Sequence, residues 1–115
     1  MRILLLGANG FIGSHLTEKI LDASDDEVVA FDIKGDNLEC FSGRERFSFR
    51  RGDIFEDDAW LEEQVAACDV VLPFAGVAKP AYYLSHPLWT FELDFEQNLK
   101  IVRLCVKHGK RVVFP

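Results

Sequence analysis

Apolar residues first gather at Ile3-Leu4-Leu5-Leu6, a continuous rather than alternating run of the kind that forms a strand covered on both faces. Glycines at 7, 10 and 13 break this pattern. From Phe11 the spacing becomes helical, with Ile12, Leu16 and Ile20 at steps of four and Ser14, Thr17, Glu18 and Lys19 between them. Glu27 to Ile33 and the shorter Phe47 to Arg50 predict two further strands. Asp57 then caps a helix carrying Trp60, Leu61 and Val65 on one side, and Asp69 to Phe74 predicts a fourth strand. A longer helix begins near Pro87 and carries Leu88, Phe91, Phe95, Leu99, Val102 and Val106 as an apolar stripe, expected to face the core. Gly109 can end that helix in the left-handed conformation, Lys107 and Lys110 complement its dipole, and Arg111 to Phe114 predicts a fifth strand. Strands alternating with helices imply an α/β domain with a parallel sheet and right-handed crossovers.

Composition narrows the function classes. The chain has 115 residues, 49% of them hydrophobic, which suits one packed domain and leaves little room for disorder. Thirteen Lys+Arg against 19 Asp+Glu give a formal charge of −6, which opposes the phosphate attraction needed for nucleic acid or an anionic membrane surface. The longest stretch without a charge or strongly polar residue, Val70 to Ala78, falls well short of the roughly 18–20 residues that span a bilayer. Cys40, Cys68 and Cys105 lie far apart, without C-x-x-C spacing or histidine partners, so they read as reduced cytoplasmic thiols. His15, His86 and His108 are scattered too, and no metal site is expected.

The chemistry is concentrated in Gly7-Ala8-Asn9-Gly10-Phe11-Ile12-Gly13, a G-x-x-G-x-x-G run between the first strand and the first helix. Gly7 permits the tight turn out of the strand, Gly10 lets backbone amides approach a pyrophosphate, and Gly13 allows close helix packing. The phosphates then sit on a helix N-terminus. Asp32 ends the second strand about twenty residues beyond Gly13, where a carboxylate reaches the adenosine ribose hydroxyls. A carboxylate accepts from a free 2′-hydroxyl and repels a 2′-phosphate, so the expected cofactor is NAD rather than NADP. Lys34 is either a solvated loop lysine or a partial offset to that repulsion.

The segments GANGFIGSHL, FDI, GDI and DVVLPFAG resemble the extended short-chain dehydrogenase/reductase family, the NAD-dependent epimerase/dehydratases of nucleotide sugars, over the whole chain. CDVVLP, Ala78-Lys79-Pro80 and Pro87-Leu88 with Phe91 to Leu99 are similar to the UDP-glucuronic acid decarboxylase branch, as in bifunctional polymyxin-resistance enzymes. The resemblance implies a Rossmann-type doubly wound parallel sheet, truncated after about the fifth strand. Gly7, Asn9, Gly10, Phe11, Ile12 and Gly13 would then hold the pyrophosphate, Asp32 the ribose, and Asp53 and Ile54 the adenine. Ala78 and Tyr83 fall at substrate positions, although Tyr83 also reads as simple packing. Lys79 replaces a threonine of the decarboxylase pattern. Asn98 either braces backbone near the active site or is solvated. The helix from Leu88 to Val106 would build a homodimer.

The implied reaction is oxidative decarboxylation of UDP-glucuronate to a UDP-4-keto-pentose, with nucleotide-sugar 4-epimerase, dehydratase or UDP-xylose synthase chemistry as the alternative. The family's Ser/Thr and Tyr-x-x-x-Lys catalytic groups would follow the fifth strand. Neither Tyr82 nor Tyr83 begins a Tyr-x-x-x-Lys. Residues 1–115 are therefore expected to be the cofactor-binding portion, with no catalytic residue of its own and inactive alone; a non-catalytic NAD-binding module is the other reading. Met1, directly before the first strand, suggests a stand-alone decarboxylase.

Overall fold

In the computed structural model, which describes residues 1–115, five parallel strands lie in the order β3-β2-β1-β4-β5. They are β1 (Arg2–Leu6), β2 (Glu27–Asp32), β3 (Phe47–Arg51), β4 (Val70–Pro73) and β5 (Arg111–Val112). Leu4 sits between Val29 and Val71 in register. Because the strands are covered on both sides, successive residues feed two cores. Leu4 and Leu6 join Val29, Phe31 and Val71 under α2 (Asp58–Ala67) and α5 (Asn98–Lys107). Ile3 and Leu5 join Val28, Ala30, Val70 and Leu72 under α1 (Phe11–Ala23) and a 3-10 segment, Asp36–Phe41.

This is the expected doubly wound α/β fold. From β1 the chain winds outward to β3, then returns past β1 to β4. The reversal places a crevice at the carboxyl ends of β1 and β4, where open α/β sheets bind ligands. No helix is long and apolar enough to cross a membrane.

The predicted elements are recovered with several differences. Two were not foreseen: the 3-10 segment, and α3 (Pro80–Ser85). Both α3 and α4 (Pro87–Phe91) start on a proline, whose fixed φ suits a first helical turn. The helix that follows α4 is interrupted by a π-helical turn, Glu92–Gln97, before α5. The fifth strand is shorter than expected, although Val113 still donates to the Val71 carbonyl at 3.0 Å.

The apolar stripe of the long helix does not face the core. Leu88, Phe91 and Phe95 are 69%, 53% and 53% exposed, and Val106 is 77% exposed. Asn98, Ile101 and Cys105 are buried instead. The helix carries two apolar faces, and the one packed on the sheet is interrupted by Asp94 and Asn98, which disguises it in the pattern.

Candidate functional site: a dinucleotide groove at the strand ends

Gly7, Gly10, Asp32, Gly52, Asp53, Ile54, Phe74, Ala75, Gly76 and neighbouring side chains line a groove of about 550 Å³ in the crevice. That lies within the roughly 300–1,000 Å³ of ordinary ligand sites. A larger depression of about 770 Å³, lined by Glu39, Ser42, Phe47 and Phe49 among others, opens at the β3 edge, away from the glycine turn. The smaller groove is the candidate, because it alone combines the turn, the strand-end carboxylate and the β4 loop.

Two of the glycines are required by space. Gly7 has φ +78°, and a Cβ on it would lie 2.6 Å from Phe74 and Ala75 backbone. A Cβ on Gly13 would lie 2.5 Å from the Gly7 carbonyl oxygen and 2.8 Å from Ala8 backbone. So Gly7 lets the β1 turn meet the β4 loop, and Gly13 lets α1 start against that turn. Gly10 is less confined: a Cβ would meet only the Gly7 carbonyl oxygen, at 3.3 Å. Gly10 makes no side-chain cap, and the first bond of α1 runs from the Ser14 amide to the Gly10 carbonyl at 2.9 Å. The amides of Phe11, Ile12 and Gly13 precede that bond and point out of the helix end, the arrangement that favours an anion. The side chains of Phe11 and Ile12 are exposed.

Asp32 stands at the end of β2 with each oxygen oriented by backbone. Oδ2 accepts from the Asn9 amide at 2.9 Å and Oδ1 from the Lys34 amide at 3.2 Å. Carboxylate oxygens have further lone pairs, so both can still accept from hydroxyls. The Asn9 side chain turns toward Asp36 and Asn37 rather than into the groove.

Across the groove, the Asp53–Phe55 turn is built with equal care. The Asp53 carboxylate accepts from the Phe55 amide at 2.9 Å, and Ile54 is buried. Asp57 occupies the N-cap position of α2 as expected, but its carboxylate caps the preceding turn rather than the helix. It accepts from the Asp53 amide and from Arg50, both at 2.8 Å, and these bonds, Arg50 first, hold its carboxyl below the usual range. Arg50 lies over Trp60, which stacks on Phe31. Lys100 reaches back from α5 to the Ile54 carbonyl at 3.1 Å, a tie to the candidate adenine turn that no local pattern announces.

The β4 loop forms the remaining wall. Asn98 Nδ2 donates to the Ala75 carbonyl at 3.2 Å, so the residue braces backbone and is 6% exposed rather than solvated. Tyr83 is half exposed, and its hydroxyl donates to the Val77 carbonyl at 3.0 Å. Ala78 is exposed, and Lys79 lines the groove. No group of His, Cys, Asp and Glu is arranged to hold a metal.

This fold and crevice define a nucleotide-binding α/β domain, and comparison with known proteins makes it specific. The chain belongs to the NAD dependent epimerase/dehydratase family, whose model matches residues 3–115. NAD is the cofactor of that family. Among solved structures, the chain is similar to PbgP3 from Burkholderia pseudomallei, with 49% identity and a TM-score of 0.94 over 99% of this chain and 38% of that one. It is also similar to UDP-glucuronic acid 4-epimerase from Bacillus cereus, in complex with UDP-glucuronic acid and NAD, with 28% identity, TM-score 0.86, and 99% and 39% of the two chains covered. The dTDP-glucose 4,6-dehydratase DesIV from Streptomyces venezuelae, with NAD and TYD bound, matches at 26% identity and TM-score 0.86 over 97% and 38%. The chain thus spans less than two fifths of these solved chains.

Proposed function

We propose that this chain is the NAD-binding part of a nucleotide-sugar enzyme that oxidatively decarboxylates UDP-glucuronate to a UDP-4-keto-pentose. The observation that carries the reading is the groove itself, in which the glycine turn, Asp32 and the Asp53–Phe55 turn line one continuous wall at the crevice. The decarboxylase-like segments around Ala78-Lys79-Pro80 and Phe91 to Leu99 favour the specific reaction.

In this reading the first-turn amides of α1 hold the pyrophosphate, Asp32 accepts from the adenosine ribose, and Asp53 and Ile54 receive the adenine. Asp53 accepts from the exocyclic amine while Ile54 covers the ring. Ala78 and Tyr83 flank the sugar nucleotide, Tyr83 through its ring. NAD supplies the hydride acceptor: oxidation at C4 of the sugar leaves a ketone β to the carboxylate, which stabilises the electron pair left by departing carbon dioxide. The chain's own part is to bind and orient the dinucleotide. The groups that move the hydroxyl proton lie outside residues 1–115, and the chain alone is inactive. The exposed Leu88, Phe91 and Phe95 suit a homodimer contact, and the exposed Cys40 suits the reducing cytoplasm.

The test is incubation of the full-length protein with NAD and UDP-glucuronate. Carbon dioxide and a UDP-4-keto-pentose are the expected products. The similarity to UDP-glucuronic acid 4-epimerase favours a second reading. Inversion at C4 without carbon dioxide release would replace decarboxylation with epimerisation.

A further inference from the structure

The β4 loop is held from three directions, and two of the bonds meet on one residue, Val77. The Val77 amide donates to Asp94 Oδ1 at 2.7 Å, and the Val77 carbonyl accepts from the Tyr83 hydroxyl at 3.0 Å. Both polar groups of this residue are therefore engaged by side chains. One helical step beyond Asp94, Asn98 Nδ2 bonds both the Ala75 carbonyl, at 3.2 Å, and the carbonyl of Asp94 itself, at 2.9 Å.

Asp94 stands in the π-helical turn Glu92–Gln97. Such turns are rare and concentrate at functional sites, because the extra residue displaces a side chain from the position an α-helix would assign it. Here the side chain meets Gly76 closely: a Cβ on Gly76 would lie 3.2 Å from Asp94 Oδ1. The contact continues toward the phosphate turn. Ala75 and Gly76 line the groove, and a Cβ on Gly7 would lie 2.6 Å from the Phe74 and Ala75 backbone. A displacement of the loop at Val77 is thus transmitted to the turn at Gly7 by backbone contact, with no flexible side chain between them.

We propose that Asp94 is a positioning residue for the dinucleotide groove, clamping Val77 together with Tyr83 and so fixing the wall Phe74–Gly76. The inference rests on the assignment of the groove to NAD. In a dinucleotide laid across the switch point, the adenosine half lies toward β2 and β3 and the nicotinamide half toward β4. The clamp therefore acts on the nicotinamide half. It also gives the Tyr83 hydroxyl a role without substrate. An aspartate suits the task because its acceptor is charged, and a charge-assisted bond to an amide is stronger than a neutral one.

The test uses the full-length protein, its Asp94→Ala, Asp94→Asn and Tyr83→Phe variants, and two ligands, NAD and ADP. ADP carries the adenosine half alone. Asp94→Ala is expected to raise the Kd for NAD about ten-fold while changing that for ADP less than two-fold. Asp94→Asn keeps an acceptor for the Val77 amide and recovers most of the loss. Hydrogen exchange of the Val77 amide without ligand is expected to quicken in Asp94→Ala, and that of the whole loop in Tyr83→Phe. A parent protein that binds ADP and NAD equally weakly would overturn the groove assignment and the positioning role with it. If the parent binds NAD, and Asp94→Ala changes NAD and ADP affinity by the same factor or leaves Val77 exchange unchanged, the positioning role alone falls.

Discussion

Asn37 holds Asn9 by two hydrogen bonds, donating both. The Asn37 amide donates to Asn9 Oδ1, and Asn37 Nδ2 donates to the Asn9 carbonyl, each at 2.8 Å. One residue lies in the glycine turn and the other at the start of the 3-10 segment, which Leu38 and Phe41 anchor in the core. With the Asn9 amide on Asp32, the pair joins the glycine turn to the carboxyl end of β2.

Asn37 would not touch cofactor, yet its loss should be felt there. Asn37→Ala removes one of the two bonds and leaves the Asn9 carbonyl unpaired. A net hydrogen bond of ~1 kcal/mol corresponds to about a five-fold rise in the Kd for NAD. Titration calorimetry on parent and variant measures it, and equal affinities would show that the turn holds its shape without this contact.

Asp32 offers the sharper cofactor test. Asp32→Ala is expected to weaken NAD binding at least ten-fold, because it removes the proposed ribose acceptor and releases the Asn9 and Lys34 amides together. NADP binding should weaken far less, since the carboxylate that repels its 2′-phosphate goes as well. The NAD-to-NADP affinity ratio therefore falls. An unchanged ratio would remove Asp32 from cofactor selection.

Strand alternation and the glycine turn made β1, α1, β2 and the Asp32 end readable from residues alone, because local covalent demands dominate there. A left-handed Gly7 and a crowded Gly13 leave few substitutes. Asn37, Asp94 and Lys100 are not legible in the sequence, for the opposite reason. Their partners lie at Asn9, Val77 and Ile54, and nothing in the flanking residues marks a polar side chain as aimed at distant backbone. The long helix departs from its sequence pattern for the same reason. Its stripe at Leu88, Phe91 and Phe95 is the stronger apolar pattern, but the sheet receives the face carrying Asn98, Ile101 and Cys105.

Gly13 and Gly10 should respond differently to one added methyl group. At Gly13 the new carbon would sit 2.5 Å from the Gly7 oxygen and 2.8 Å from Ala8 backbone, atoms that cannot turn aside. Gly13→Ala is expected to destabilise the protein by about 1–2 kcal/mol, net of the roughly 1 kcal/mol that alanine contributes as the better helix former. At Gly10 the contact is 3.3 Å and the site is exposed, so Gly10→Ala keeps the fold and loses NAD affinity by obstructing the groove. Urea midpoints and NAD titrations on the same samples separate the two. A Gly13→Ala variant as stable as the parent would contradict the packing argument.

The cysteines divide by burial. Cys68 and Cys105 are each 1% exposed, and desolvation pushes the Cys105 thiol up to about 11 and raises that of Cys68. Thiolate is the reactive form, so neither should react near neutral pH. A disulfide reagent at pH 8 is expected to label Cys40 alone among these three, with the other two following only on unfolding. Rapid native labelling of these residues in Cys40→Ser would show that the faces under α2 and α5 open readily.

Acid should loosen the contact between α2 and α5 through Glu62. Its carboxylate accepts from Lys107 at 2.5 Å and lies 3.1 Å from His108 Nε2, and these partners, Lys107 first, hold its carboxyl below the ordinary value. A carboxyl depressed in the folded state contributes stability that is fully present above its unfolded pKa of about 4.3 and is lost as pH falls through the lower folded value. Glu62→Gln removes that contribution. The variant should be slightly less stable than the parent at pH 7, and the gap between their urea midpoints should close as pH falls from about 5 towards 3. Parallel stability curves for parent and variant across this whole range would mean that the Glu62 contacts with Lys107 and His108 contribute nothing measurable to the packing of α5 on α2.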